Sequence, residues 1–295
     1  MATLRGMLTM VLIVLNLLFW ATPLYLAAFV KLLPFAGLRT HCDRLLVRIA
    51  QNWISGNNLI FRLTQDIHWN VEGIEGLQQR DWYLVICNHQ SWVDILVLQG
   101  VFNRRIPFLK FFLKKQLIWV PVLGFAWWAL DFPFMQRRSR EYLERHPEAR
   151  GQDLAVTRRA CEHFSRSPTS VMNFVEGTRF TPEKHAAQAS PYRHLLKPRA
   201  GGTAFVLSAM GDILHRVLDV TIFYPGGTPS LWDMCCGRLR EVIVRVAVRE
   251  IPAWTGQGDY QDDPEFRARF QAWLSEAWSL KDDQLEALRT DGTPA

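Results

Sequence analysis

Residues 85–94 read VICNHQSWVD, and we expect the fold to be organised around this stretch. Its first residues are apolar and predict a buried strand. Ser91 and Asp94 follow, three positions apart, which is the spacing of a capping box at a helix N-terminus. The chain is therefore predicted to leave a strand, turn at Asn88 and His89, and enter a helix.

The same ten residues allow two interpretations of His89 and Asp94. An imidazole at a strand end can be reached by a substrate, and a carboxylate one turn into the next helix can hydrogen-bond its other ring nitrogen. The two residues would then be a general base and the group that orients it. Alternatively, Asp94 only caps the helix and His89 only occupies the turn. The stretch by itself leaves both interpretations open.

The composition predicts one large globular domain and an anionic partner. The 295 residues are 49% hydrophobic and carry a net charge of +6. Basic charge alone does not distinguish nucleic acid, anionic lipid and phosphorylated metabolites. The five cysteines are odd in number and lack the spacing of zinc ligands, so we expect reduced, cytosol-facing thiols and no metal site.

Residues 7–30 contain no charged side chain and are flanked by Arg5 and Lys31. The segment is long enough to cross a hydrocarbon core of about 30 Å, so membrane attachment is expected. Pro23 leaves a re-entrant or interfacial arrangement open. More cations follow the segment than precede it, and the positive-inside rule therefore places the bulk of the chain on the cytoplasmic side.

The rest of the chain predicts an amphipathic helix and then an α/β domain. Residues 38–63 have apolar positions every three to four residues, which is typical of a helix lying on a membrane or covering a core. Strand and helix patterns then alternate, indicating a mixed sheet flanked by helices. The predicted strands are residues 67–71, 82–87, 132–135, 171–175, 217–223 and 241–248, and the predicted helices are residues 92–101, 154–165, 203–210 and 264–278.

This pattern divides the chain into three parts. We expect a membrane anchor with an amphipathic helix at residues 1–65, the α/β domain at residues 66–280 and a polar, frayed tail at residues 281–295. Within the α/β domain, residues 108–128 are dense in large apolar side chains but contain three lysines. This run is predicted to form an interfacial surface or one wall of an apolar pocket, with ordinary core as the alternative.

Three further stretches place cations where predicted strands or loops end. FVEGTRF at residues 174–180 offers a glycine for a tight turn, then Thr178 and Arg179 for an anion. KPRAGG at residues 197–202 leads into a helix whose N-terminal amides can bind an anion. FMQR at residues 134–137 is the third. Each alone is typical of a solvated loop, but an α/β sheet gathers strand ends at its carboxyl edge, where such folds bind ligands.

Together these motifs resemble those of the glycerolipid acyltransferases, most closely the bacterial 1-acyl-sn-glycerol-3-phosphate acyltransferases. The resemblance runs from about residue 81 to residue 221. NHQSWVD fits the family's HX4D block, FMQR its FxxR block and FVEGTR its EGTR block, whereas KPRAGG resembles the next block less closely. VLDVTI at residues 217–222 carries Asp219 where the family usually has a proline.

The resemblance implies a role for each matching residue. His89 would be the general base and Asp94 its partner, while Arg137 would bind the acceptor's phosphate. The other residues to which it assigns acceptor binding are Glu176, Gly177, Thr178, Arg179, Lys197 and Gly201.

The activity that the resemblance implies is membrane-bound O-acyl transfer. A fatty acyl chain would move from acyl-CoA or acyl carrier protein to lysophosphatidate, giving phosphatidate. The thioester is a co-substrate, and no cofactor, metal or nucleic acid is expected. A covalent acyl-enzyme is not expected either, because the sequence has no GxSxG elbow. The expected location is the bacterial inner membrane, with the catalytic domain on the cytoplasmic side.

Three alternatives stay open at the level of sequence. The acceptor could be another lysophospholipid or glycerol 3-phosphate. A thioesterase would use His89 to activate water and would not need phosphate-binding arginines. A membrane-anchored protein that only binds nucleic acid or anionic lipid would spread its cations over one face, and would leave a His–Asp pair among cationic strand ends unexplained.

Overall fold

The computed structural model describes residues 1–135, 145, 159, 162, 164, 167–211, 213–214, 216–260 and 262–291. Arg137 and most of the predicted helix at residues 154–165 lie outside these described residues. The strands of the central sheet are β1 (His68–Glu72), β2 (Tyr83–Cys87), β3 (Leu109–Phe111), β6 (Ser170–Phe174), β7 (Arg216–Phe223) and β8 (Glu241–Glu250). A separate two-stranded sheet pairs β4 (Leu113–Lys114) with β5 (Phe134–Met135).

The central sheet is mixed, with the strand order β1-β8-β7-β2-β6-β3. β7 and β8 are antiparallel, and the other neighbouring strands are parallel. The α-helices are α1 (Ala2–Lys31), α2 (Ala36–Thr64), α3 (Val93–Phe102), α4 (Leu123–Ala129), α5 (Pro182–Ala187), α6 (Ala200–Met210), α7 (Leu231–Cys235) and α8 (Pro264–Asp291). The predicted mixed sheet flanked by helices is therefore confirmed.

Strand β2 lies at the centre of the sheet and is buried on both faces. Tyr83, Val85 and Cys87 point into a core shared with α2 and α3. Leu84 and Ile86 point into a second core shared with α6 and α8. Because successive side chains of a strand alternate between faces, a strand covered by helices on both sides needs a continuous apolar run. This is why the sequence here is apolar without alternation.

Helices α1 and α2 form an antiparallel pair that lies along the domain. The hydroxyl of Thr9 accepts a hydrogen bond from Gln65 Nε2 at 2.8 Å, and Gln65 Nε2 also donates to the Cys235 carbonyl at 2.8 Å. At the other end of α1, Lys31 Nζ lies 2.6 Å from an Asp131 carboxylate oxygen. Pro23 lies within α1 without ending it. Both ends of α1 are thus attached to the domain.

The outward face of α1 remains apolar and exposed. Its exposed side chains include Leu8, Leu15, Phe19 and Leu26. Among the described residues, α1 is the one helix that is long and apolar enough to cross a membrane by length and composition. Packing on one side and exposed apolar surface on the other give α1 two distinct faces.

The run at residues 108–128 is partly buried and partly exposed. Lys110 and Phe111 are buried in β3, a strand that was not predicted because the lysine interrupts the apolar pattern. Trp119 is 85% exposed, and Trp128 is also exposed. The run therefore contributes both to the core and to the outer apolar surface.

The predicted polar tail at residues 281–295 is wrong over most of its length, because α8 continues to Asp291. Lys281 is buried, and its Nζ donates to the Val220 carbonyl at 2.6 Å and pairs with Asp219 at 2.6 Å. Polar composition concealed this packing, since the charged groups are paired within the fold. Residues 292–295 lie outside the described part of the chain.

Candidate active site

The carboxyl ends of β2, β6 and β7 meet at one edge of the sheet because these strands are parallel. Cys87 lies in register with Phe174 on one side and with Val220 on the other. The turn after β2 carries His89, and the turn after β6 carries Glu176. The sheet order thus brings together two motifs that are far apart in sequence.

His89 and Asp94 form the hydrogen bond that their spacing in the sequence allows. His89 Nδ1 lies 2.9 Å from Asp94 Oδ2, and the imidazole is 12% exposed whereas Asp94 is buried. Asp94 Oδ2 also accepts from the backbone amides of Gln90 (2.6 Å) and Ser91 (2.9 Å), and Oδ1 accepts from the Tyr224 hydroxyl at 2.6 Å. Because the carboxylate can only accept, the bond assigns the proton to Nδ1 and leaves the lone pair on Nε2.

Asp94 also supports the start of α3, so the two sequence interpretations coexist. It accepts from the Ser91 amide, as the acidic member of a capping box does. The Ser91 hydroxyl does not complete such a box, because it donates to the Pro229 carbonyl and accepts from the Val93 amide. One carboxylate therefore fixes both the helix start and the histidine ring.

Two neighbours hold the turn and the ring in place. The His89 ring stacks on Phe174 with ring centroids 3.9 Å apart and an interplanar angle of 15°. Asn88 exchanges two hydrogen bonds of 2.9 Å with the backbone of Ile222, which continues the β2–β7 pairing past the last residue of β2. The imidazole is thus oriented before any ligand binds.

Glu176 is buried, and both of its carboxylate oxygens face backbone amides. Oε1 accepts from the His89 amide and Oε2 from the Leu196 amide, each at 2.9 Å. Burial raises the pKa of Glu176 to about 7, although the two amide donors act in the opposite direction. Glu176 thus joins the turn after β6, on which it lies, to the turn after β2 and to the loop before α6. It does not present its carboxylate to a ligand. The geometry favours a supporting role over the acceptor contact that the resemblance implies.

The residues after Glu176 turn sharply and present a cation beside the histidine. Gly177 has a φ of +70°, a conformation that favours glycine. Lys184 Nζ donates to the Thr178 hydroxyl at 2.8 Å and to the Arg179 carbonyl at 2.9 Å. The exposed Arg179 guanidinium lies 5.1 Å from the ring centroid of Trp92 and has no carboxylate partner among the described residues.

The KPRAGG stretch forms the loop and first turn that lead into α6. Lys197 is exposed, and the Arg199 amide donates to the Val175 carbonyl at 2.8 Å, which attaches the loop to the end of β6. The N-terminus of α6 has no side-chain cap among the described residues. A Cβ at Gly201 would lie 3.7 Å from the Tyr260 ring, an ordinary contact, so packing does not require glycine there.

A family model described as Acyltransferase matches residues 68–225, which contain every part of this site. The chain belongs to the acyltransferase family. This acyltransferase is 28% identical over 225 residues to 1-acyl-sn-glycerol-3-phosphate acyltransferase delta of Mus musculus, an alignment that covers 72% of this chain and 54% of the mouse protein. It is 26% identical over 254 residues to lysocardiolipin acyltransferase 1 of Danio rerio, with 81% of this chain and 60% of that protein covered.

The chain spans about half the length of the curated relatives it matches. The crystal structure of the 1-acyl-sn-glycerophosphate acyltransferase PlsC from Thermotoga maritima superposes with a TM-score of 0.57 at 17% identity, covering 97% of this chain and 98% of that one. This acyltransferase therefore shares the PlsC fold over almost its whole length, including the helical pair at the N-terminus.

Asp219, which replaces the proline of the family pattern, has a structural role in this acyltransferase. It is buried in β7, where Lys281 lies 2.6 Å and Arg249 Nε 2.9 Å from its carboxylate oxygens. A buried carboxylate is costly unless it is paired, and here two cations pair with it. The departure from the pattern thus joins α8 and β8 to β7.

The described residues include no group of three His, Cys, Asp or Glu side chains placed to hold a metal ion. Cys42, Cys87, Cys235 and Cys236 are buried free thiols, and burial raises the pKa of Cys87 well above its ordinary value. A buried thiol of this kind is a poor nucleophile, because the thiolate is the reactive form. These four thiols are therefore core residues.

Four side chains that complete the site were not predicted from the sequence. They are Asn88, Phe174, Tyr224 and Lys184. Tyr224 directly follows the predicted strand at residues 217–223, so the strand-end rule that found the other motifs would also have found it. The contacts of Asn88 and Phe174 depend on the order of strands in space, for which the sequence carried no signal, whereas Lys184 lies in α5 and contacts Thr178 and Arg179 in the loop directly before it.

Proposed function

We propose that this chain transfers a fatty acyl group from a thioester to the free hydroxyl of a lysophospholipid, with lysophosphatidate as the acceptor. The donor would be acyl-CoA or acyl-acyl carrier protein. The observation that carries the proposal is the His89–Asp94 hydrogen bond beside the exposed Arg179 at the carboxyl edge of the sheet. Membership of the acyltransferase family and relatives named for 1-acyl-sn-glycerol-3-phosphate support it.

The proton transfer is assigned to His89. A hydroxyl is a weak nucleophile near neutral pH, so Nε2 takes its proton as the hydroxyl oxygen attacks the thioester carbonyl carbon. Asp94 stabilises the imidazolium that forms. When the tetrahedral intermediate collapses, the carbon–sulfur bond breaks, the ester remains on the acceptor, and the thiolate takes the proton from the imidazolium. No covalent acyl-enzyme is needed.

We assign binding of the acceptor's phosphate to the cations at the same edge of the sheet. Arg179 offers a planar fork that matches phosphate oxygens. Lys197 and the amides at the start of α6 are within the adjoining loop and helix, and the uncapped helix N-terminus favours an anion. Arg137 would add a further cation from the segment outside the described residues.

Membrane attachment is assigned to α1. We propose that it lies in the interface of the inner membrane, with its exposed apolar face in lipid and the catalytic domain on the cytoplasmic side. The bonds that attach Thr9 and Lys31 to the domain support an in-plane orientation. A helix that crossed the bilayer would carry its two ends to opposite sides, whereas both ends here contact one domain.

The decisive assay uses the purified full chain in detergent with a long-chain acyl-CoA. Thiol release is measured with and without lysophosphatidate, and the lipid product is identified by mass spectrometry. We expect release to depend on the acceptor and phosphatidate to form. Thiol release that does not depend on the acceptor would identify a thioesterase. Release that is stimulated only by glycerol 3-phosphate or another lysophospholipid would show that this compound, and not lysophosphatidate, is the acceptor.

A further inference from the structure

A cavity of about 1290 Å³ lies at the connection between α1 and α2. Its lining combines cations with exposed apolar side chains. The lining cations are Lys31, Arg39, Arg44, Arg48, Arg80 and Lys110. Two carboxylates also line it, those of Asp43 and Asp131, and both pair with Lys31, at 2.8 and 2.6 Å. The remaining cations thus make the cavity, which we call the basic cleft, strongly positive.

The basic cleft lies at the opposite edge of the sheet from His89. Its lining includes Arg80, which precedes β2, and residues 167–169, which precede β6. His89 instead follows β2. The chain from Tyr83 to His89 spans roughly 20 Å when extended, at about 3.3 Å per residue. A phosphate in the basic cleft is therefore remote from the atoms that would react at His89.

The arginines of the basic cleft are available to a ligand. Arg39, Arg44, Arg48 and Arg80 are exposed, and none has an ion-pair partner within the described ranges. Three of them come from the first half of α2 and face the same cavity. A concave surface that gathers unpaired guanidinium groups favours an anion. Its positive potential attracts the negative charge, and the planar guanidinium donors match the geometry of phosphate oxygens.

Lys110 gives the basic cleft a buried cation without an ion-pair partner in the described part of the chain. The residue is 7% exposed, and its ammonium lies 4.9 Å from the ring centroid of Phe164. It has no hydrogen-bond acceptor among the described residues, and burial lowers its pKa to about 8. Burial outweighs the opposing attraction of Asp131 and Asp43, neither of which contacts the ammonium directly, so an anion entering the cavity would supply a direct partner.

The rim of the basic cleft is apolar and continuous with the exposed face of α1. Phe35 is 64% and Trp128 is 42% exposed, and Leu32 and Leu33 are exposed beside them. Cations next to exposed leucine and tryptophan are typical of the depth at which phospholipid headgroups lie. A soluble phosphate would make no use of this rim, whereas a lipid places its phosphate among the cations and its acyl chains along the apolar surface.

We propose that the basic cleft binds the phosphate headgroup of an anionic phospholipid from the surrounding membrane, at a site separate from the His89–Asp94 pair. The bound lipid would fix the α1–α2 connection against the bilayer and thereby set the orientation of the domain. This goes beyond the proposed acyl transfer, in which the acceptor's phosphate lies at the other edge of the sheet.

Binding is tested on the purified full chain in a non-ionic detergent. Dioctanoyl phosphatidylglycerol, a phosphodiester that is neither acceptor nor product, is titrated by isothermal calorimetry, with dioctanoyl phosphatidylcholine as the neutral comparison. We expect the double variant Arg44→Gln/Arg48→Gln to bind phosphatidylglycerol about tenfold more weakly or worse, because two headgroup contacts are lost. Lys110→Met, which keeps the volume, should also weaken binding.

The matched control is Arg62→Gln, which removes an exposed arginine from the last turn of the same helix, outside the basic cleft. It should bind as the wild type does, and so should Arg179→Ala. Unchanged affinity in Arg44→Gln/Arg48→Gln, an equal loss in Arg62→Gln, or a loss in Arg179→Ala would overturn the proposal. If coenzyme A competes with phosphatidylglycerol for the basic cleft, the cleft binds the thioester donor, and the proposal of a lipid site is overturned. A chain that fails to transfer acyl groups but still binds phosphatidylglycerol would refute only the proposed function.

Discussion

Among single residues, Asp94 has the most constrained side chain of the site. Its carboxylate is buried and receives four donors, from His89, Gln90, Ser91 and Tyr224. Removing a carboxylate from water is costly unless donors replace the lost hydration, and four donors meet that need. The same bonds leave it little freedom to move. The proposed base is therefore oriented by a group that is itself fixed from several directions.

Replacing His89 by alanine should abolish transfer. The variant loses the only group to which we assign the proton transfer, and a positioned general base typically raises the reaction rate by about 10²- to 10⁴-fold. The measurement is acceptor-dependent thiol release, with binding to vesicles measured in parallel and expected to be unchanged. His68→Ala, which removes an exposed histidine at the edge strand β1, is the matched control and should be active. Turnover retained in a folded His89→Ala protein would refute the assignment.

Replacing Arg179 by alanine should chiefly weaken acceptor binding. Its exposed guanidinium is the phosphate fork of the proposal, so we expect the KM for lysophosphatidate to rise about tenfold or more, with little change in the KM for acyl-CoA. Arg179→Lys should restore only part of the loss, because an ammonium lacks the planar fork. Arg240→Ala, at an exposed arginine before β8, serves as control. An unchanged KM for lysophosphatidate in Arg179→Ala would count against this role.

Glu176 should make stability depend on pH in a definite direction. Its pKa rises from 4.5 to about 7 on folding, so the folded chain binds the proton more tightly than the unfolded chain does. This contribution is fully present below pH 4.5 and is lost as the pH rises towards 7, by up to about 3 kcal/mol. Glu176→Gln does not titrate. The free energy of unfolding of the wild type, relative to this variant, should therefore fall between about pH 5 and pH 8.

That comparison is made by chemical denaturation in detergent at the two pH values. Glu176→Gln also lowers the free energy of unfolding, because the NH₂ group of the new side chain faces a backbone N–H group. This loss is the same at every pH. Glu265→Gln replaces an exposed glutamate at the start of α8 and should follow the wild type at both pH values. A difference between wild type and Glu176→Gln that is the same at both pH values would contradict the role of burial.

Among the helices and strands, the last helix holds the loop that carries Lys197. Asp282 on α8 accepts from the backbone amides of Arg193 (2.7 Å) and His194 (2.8 Å). The Trp278 indole donates to the Leu196 carbonyl at 3.1 Å. Since the Leu196 amide in turn donates to Glu176, α8 is connected to the turn after β6 through two hydrogen-bonded steps. This connection explains why Asp282 is polar and yet buried.

Replacing Asp282 by alanine should loosen this loop. Two backbone amides lose their acceptor, which should cost about 1–3 kcal/mol of folding free energy. We also expect a higher KM for lysophosphatidate, because Lys197 and the start of α6 follow the loop directly. The neighbouring Asp283 is exposed, so Asp283→Ala is a closely matched control. Thermal unfolding and acceptor titrations measure the two effects, and an Asp282→Ala protein that matches Asp283→Ala in both would disprove the connection.

In the molecule as a whole, two opposite edges of one sheet have different chemistry. The carboxyl edge carries the His89–Asp94 pair with Arg179, and the amino edge carries the basic cleft. The helical pair α1 and α2 lies along the domain, and its connection opens into the cleft. If α1 lies in the membrane interface, the molecule contacts lipid over the length of this helix. Both edges are then set at a constant height relative to the phospholipid headgroups.

The local parts of this arrangement could be predicted from the amino-acid pattern. The apolar run before Asn88 predicted a buried strand, and the five-residue separation of His89 and Asp94 allowed their hydrogen bond across one turn. Such features depend on neighbours along the chain, and pattern and capping chemistry specify them directly. The position of Arg179 after a strand and that of Lys197 in the loop before a helix followed from the same patterns.

The contacts between segments that are distant in sequence are decided only by the tertiary structure. Folding buries Glu176 as a support between loops, adds Tyr224 to the aspartate, and packs the supposed tail against β7. It also lays α1 along the domain and forms the basic cleft. These outcomes depend on strand order and on which polar groups find partners when buried. A hydrophobic pattern specifies which residues are buried, but it does not specify which distant groups become neighbours.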